Sequence, residues 1–118
     1  MKAWTEAYIL SRIRSVLRRL SMQMPSIREC RLAVRRPYTG NNPRLKYEYP
    51  CAACGGWFAE KETHVDHIVP AGSLKSFEDV GPFSRRLLFP TPDQLQILCK
   101  PCHKTKTTAE RRAARRKL

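Results

Sequence analysis

Long apolar runs are missing from this chain of 118 residues. No stretch approaches the ~18 consecutive apolar residues of a membrane span. The first twenty residues carry too many arginines for the core of a signal peptide. The expected home is therefore a cytoplasm, or a host cytoplasm if the gene is viral, with no membrane partner. Aromatic residues are few, at 8%. Acidic side chains are scarce as well: 10 Asp and Glu stand against 23 Lys and Arg, a formal net charge of +13.

The distribution of that charge says more than its total. Residues 1–50 hold 11 basic and 3 acidic side chains, residues 51–98 hold 4 and 6, and residues 99–118 hold 8 and 1. The ends are strongly basic and the middle slightly acidic. Basic flanks suit a polyanion such as a nucleic-acid backbone, whereas an acidic middle suits a bound cation. The alternative is a basic protein kept soluble by its charge. The length fits one domain with a modest core, which a structural metal would help to hold.

Of the five cysteines, four form two pairs at x2 spacing, Cys51/Cys54 and Cys99/Cys102. In a reducing compartment such pairs mean metal rather than disulfides. Four thiolates complete a tetrahedral shell with no open position, so the set reads as structural zinc. Cys30 reads as a small buried apolar residue.

Taken in order, residues 3–20 read as an amphipathic helix, with Ile9, Ile13, Val16, Leu17 and Leu20 on one face and Arg12, Arg14, Arg18 and Arg19 off it. Trp4 and Tyr8 are four apart and can touch. Ser26 and Glu29 fit a capping box, opening a second helix to about Arg36 that buries Ile27, Cys30 and Val34. Residues 1–37 thus form a helical basic arm, and residues 38–118 a second part with a basic C-terminal helix. Residues 44–49 alternate like a strand, and residues 57–70 should contain a hairpin whose second arm bends or ends near His67. Residues 71–92 connect, with a short helix opened by Gly81-Pro82 and closed by Pro90 and Pro92. Residues 94–98 read as a strand, and Pro101 places Cys102 and His103 at the start of the last helix. The expected class is α+β.

Between the cysteine pairs lies His64-Val65-Asp66-His67-Ile68-Val69-Pro70. Asp66 offers a hard oxygen ligand, and His103 an imidazole placed beside a fixed cysteine. Two protein ligands leave room for water and a substrate phosphate, an arrangement suited to a divalent ion acting on phosphodiesters. His67, next to Asp66, can take a proton from an attacking water. Lys104 and Lys106 can hold the backbone, and Arg111, Arg112, Arg115 and Arg116 form a phosphate-binding tail or a solvated one.

The order Cys51-x-x-Cys54, then Asp66-His67-Ile68-Val69-Pro70, then Leu95-Gln96-Ile97-Leu98-Cys99-Lys100-Pro101-Cys102-His103 closely resembles the zinc-knuckle branch of the HNH endonucleases. The likeness covers roughly residues 49–107, and the family's lysine–threonine ending is met at Lys106-Thr107. The resemblance implies a ββα-metal module acting in the minor groove of double-stranded DNA. It makes His67 the general base, and Asp66 and His103 the ligands of a catalytic divalent ion, magnesium, manganese or another transition metal. The family's middle Asn, which braces the loop carrying the base through its amide, is replaced here by Gln94, which keeps the amide on one more methylene. Small proteins of this kind look like those of tailed phages, used in genome packaging or as mobile-element nucleases, which would make phage packaging proteins partners.

Two other readings compete. A zinc-stabilised DNA-binding protein without nuclease activity explains the charge and the cysteines but not Asp66, His67 and His103. An RNA-binding knuckle protein needs exposed stacking aromatics, and only Tyr47, Tyr49 and Trp57 are available. The apolar stripe of the first helix can serve a dimer or fold back, so the oligomeric state stays open.

Overall fold

A computed structural model describes residues 4–116. Its elements are α1 (Glu6–Ser21), α2 (Pro25–Val34), β1 (Arg36–Pro37), β2 (Tyr47–Pro50), β3 (Trp57–Phe58), β4 (Thr63–His67), α3 (Val80–Leu88), β5 (Leu95–Cys99) and α4 (Lys100–Arg116). The class is α+β. Ala3, Lys117 and Leu118, which fall in the expected helices, lie outside the described residues. No helix among the described residues is long and apolar enough to cross a membrane.

The chain separates into two compact units, Met1–Glu29 with His67–Leu95, and Cys30–Asp66 with Gln96–Leu118. In the first, α1 packs on α3. Thr5 caps α1 by accepting the Tyr8 amide at 3.2 Å, and Trp4 meets Tyr8 edge-on at 5.1 Å. The face that is buried differs from the expected stripe. Leu10 and Ser21 are buried, Ile13 and Leu17 half-buried, while Val16 and Leu20 are exposed. Residues 10, 13, 17 and 21 are spaced three or four apart and share one side, rotated from the side inferred from hydrophobicity alone. The core of this unit is Ala71, Phe83 and Leu87, with Leu17, Leu74 and Leu88 around it. Phe83 is fully buried, and such burial contributes roughly 1.5–3 kcal/mol.

Apart from β1, the second unit has strands close to where the sequence suggested them but pairs two of them differently. β3 pairs antiparallel with β2 (Tyr49↔Phe58, Pro50↔Trp57), and β2 with β1 (Arg36↔Glu48, Pro37↔Tyr47). β4 pairs with β5, so no hairpin forms within residues 57–70. The polar stretch between β3 and β4 is a 3-10 turn, Glu60–Glu62. α2 begins at Pro25, one residue before the expected cap, so Ser26 lies inside its first turn; the helix stops at Val34 and Arg36 opens a strand. Cys30 is buried, which pushes its thiol pKa up; Val34, expected beside it, is exposed.

Polar groups buried in this unit are matched. Glu48 accepts from Arg36 Nε at 2.6 Å and from Thr39 at 3.2 Å. Thr63 accepts from Arg31 at 2.7 Å and donates to the Glu60 carbonyl. Arginines also cover the aromatics: Arg35 lies 3.7 Å from the Tyr47 ring and Arg36 3.7 Å from that of Trp57, while Tyr49 is buried with Arg31 over it. Each ring thus has an arginine near it, while Tyr47 stays 40% exposed.

Candidate functional site

Cys51 opens a tight knuckle. Its amide donates to the Gly56 carbonyl at 2.8 Å, and its carbonyl accepts from Gly55 at 2.9 Å. Gly55 adopts φ +75, a left-handed conformation that disfavours side chains. A Cβ on Gly56 would lie 2.9 Å from the Phe58 ring. The Ala52 amide donates to the Ile97 carbonyl at 2.8 Å, which ties the knuckle to β5 and hence to Cys99. Cys102 follows in the first turn of α4.

The four sulfurs lie within 4.8 Å of one another, and Cys54 Sγ is 4.0 Å from Cys99 Sγ. Four Zn–S bonds in a tetrahedron put sulfurs about 3.8 Å apart, so this donor set fits one ion with a small contraction. Burial pushes the Cys51 thiol up, but the amides of Cys54, Cys99 and Ala53 and the Cys54 thiol outweigh it and bring Cys51 down to about 6. Cys102, whose thiol donates to Cys99 and Cys51, is pushed up to about 12. The thiol protons that stabilise this one thiolate are what a cation would displace on binding.

Beside it in the same unit, β4 and α4 bring Asp66 and His103 together. His103 Nε2 is 3.6 Å from Asp66 Oδ1. Two donors at about 2.1 Å from one ion lie about 3.0–3.4 Å apart, so the pair fits with a slight closure. The other carboxylate oxygen, Oδ2, accepts from Lys106 Nζ at 2.9 Å and from Gln96 Nε2 at 3.3 Å. Oδ1 is thereby left toward His103. Burial is the main cause holding the His64 pKa down, followed by the nearby His103; its ring stacks on His103 at 4.6 Å. Gln96 was not singled out from the sequence. Its signal was a polar residue within a strand whose other residues are all buried.

In the first unit, His67 Nε2 lies 3.2 Å from the Leu87 carbonyl. A carbonyl only accepts, so Nε2 is the donor in this contact. Gln94 links to the residue after His67 through its main chain: its carbonyl accepts the Ile68 amide at 3.0 Å. The Gln94 side chain accepts the Thr91 amide at 3.0 Å instead and caps its own 3-10 turn. His67 and Gln94 both line a cavity of about 770 Å³ in this unit.

The basic residues of α4 separate into two groups. Lys104, Arg111, Arg112, Arg115 and Arg116 are exposed. Lys106 is half-buried and bonds Asp66 and Glu110, which raises its pKa although burial, the largest single influence, opposes this.

Over 69 residues, 58% of this chain, the sequence is 36% identical to a protein of Lactococcus phage SK1 named "Probable HNH endonuclease". The match covers 65% of that relative's length. No family model and no solved structure matches the chain.

Proposed function

We propose that the chain is an HNH-type endonuclease that depends on a divalent metal and hydrolyses phosphodiester bonds of double-stranded DNA. Zinc in the Cys51, Cys54, Cys99 and Cys102 set serves structure. The observation that carries the reading is the Asp66–His103 pair, 3.6 Å apart in the same unit as four convergent cysteines. When bound there, magnesium, manganese or a similar ion supplies positive charge to the scissile phosphate and the departing 3′ oxygen.

The side chains do the rest. Lys106 and Gln96 hold Oδ2 of Asp66, orienting the carboxylate as a one-oxygen ligand. His64, stacked on His103, fixes that ring. His67, oriented by the hydrogen bond from its Nε2 to the Leu87 carbonyl, acts as the general base toward water. Gln94 braces the residue after His67 through its carbonyl. Lys104, Arg111, Arg112, Arg115 and Arg116 hold the DNA backbone, and a single catalytic site makes nicking the minimal activity.

The test is nicking of supercoiled plasmid with Mg2+ or Mn2+. His67→Ala is expected to lose ~10²–10⁴-fold in rate while DNA affinity stays unchanged. If the wild type cuts no better than His67→Ala while both bind DNA, the chain is a zinc-stabilised DNA-binding protein without nuclease activity.

A further inference from the structure

The cavity of the first unit has a rim that the proposed hydrolysis does not use. Phe89 ends α3, its amide donating to the Arg85 carbonyl at 3.1 Å, and Pro90 follows it. Phe89 is 72% exposed, and it is not part of the core around Phe83. Val69 is 78% exposed and Ile68 46% on the same cavity. Three large apolar side chains around one opening are not explained by packing, and they leave apolar surface in water. Two charged groups of opposite sign, Arg85 and Asp93, both exposed, line the same cavity.

This combination matches a nucleotide better than a wholly apolar ligand. A flat ring can stack on Phe89 and slide against Val69. Asp93 can accept from the exocyclic amine of a base, and Arg85 can pair with a phosphate. About 770 Å³ is within the range of small-molecule sites and exceeds what one base needs. A base still stacked and paired in a duplex offers only its edge, so stacking on Phe89 requires a base out of the helix.

We infer that the Phe89 cavity takes up an unstacked base of the DNA strand, so that the chain favours DNA with an unpaired base over fully paired DNA. The inference rests on the nucleic-acid reading above, and it names the feature of the substrate that this unit recognises.

The test is fluorescence anisotropy with the full chain, zinc-loaded and without added Mg2+ or Mn2+. The probes are a matched duplex and the same duplex with one bulged adenine. Wild type should bind the bulged duplex ~5–100-fold more tightly. Phe89→Ala should remove the difference and Phe89→Trp should keep it; since Phe89 is exposed, neither change touches the core. Equal affinity of wild type for both duplexes, or full preference retained in Phe89→Ala, overturns the inference. So does a concentration-dependent dimer that Phe89→Ala abolishes, which makes the rim a contact between copies. The nuclease reading fails separately, through the plasmid assay, because this experiment reads binding without cleavage.

Discussion

The two units are held together by different chemistry. The Met1–Glu29 and His67–Leu95 unit has an apolar core of Ala71, Phe83 and Leu87, with leucines around it and no cysteine. The Cys30–Asp66 and Gln96–Leu118 unit centres on Cys51, Leu98 and Cys99, with Phe58 and Cys102 against them. Two of its three central residues are thiols that also converge on the candidate metal centre. One unit is held by hydrophobic burial, while in the other four thiols converge where an ion could join them. The contrast explains how so short a chain can hold two units with few apolar residues in each.

Removing metal should separate them most. Stripping zinc with a strong chelator is expected to unfold the cysteine unit, since structural zinc contributes on the order of 10 kcal/mol or more in comparable small sites. Hydrogen exchange should show amide protection lost in β2 and β5 and retained in α1 and α3. Equal loss in all four would end the distinction between the units.

A core truncation should give the reverse pattern. Phe83→Ala removes a fully buried ring and is expected to cost about 3–5 kcal/mol, read as a lower urea midpoint. The same protein should bind zinc as tightly as wild type. A large fall in zinc affinity would show that the two cores are not independent.

The smallest effect sharpens the comparison within the cysteine unit. Gln96→Ala leaves all four thiols and Asp66 in place but removes the 3.3 Å contact to Oδ2. Calorimetry should show affinity for Mn2+ falling ~10-fold, at the low end for loss of such a supporting contact, with zinc content unchanged. Zinc and Mn2+ falling together would instead mean that Gln96 supports the fold.

The parts of this organisation that were legible in the sequence are those fixed by short spacing. Two Cys-x-x-Cys pairs, Pro101 in a helix's first turn and Gly81-Pro82 in the first turn of another act over a few residues, and they appear close to where expected. What depended on distant partners was not legible. β3 is only two residues long, so nothing local told Trp57 and Phe58 to pair with Tyr49 and Pro50 rather than with β4. The buried side of α1 was misjudged because Val16 and Leu20 are as apolar as Leu10, and only contact with α3 selects among them. Of the candidate site, Asp66 and His103 could be named from the sequence. That Lys106 turns to Asp66 could not be, because a lysine in a basic helix looks like any other.

Lys106 and His103 sit three residues apart on α4 and meet opposite oxygens of the same carboxylate. The helix therefore acts as a ruler. Each residue added or removed between the two positions turns the following side chain by about 100° around the axis. A one-residue change would carry Lys106 off Asp66 while His103 stayed, and a deletion before Cys102 would misplace the thiol and both contacts together. Substitution can be tolerated at several points in residues 99–106, but a change in their number cannot, so the length of this segment carries information that no single residue in it does.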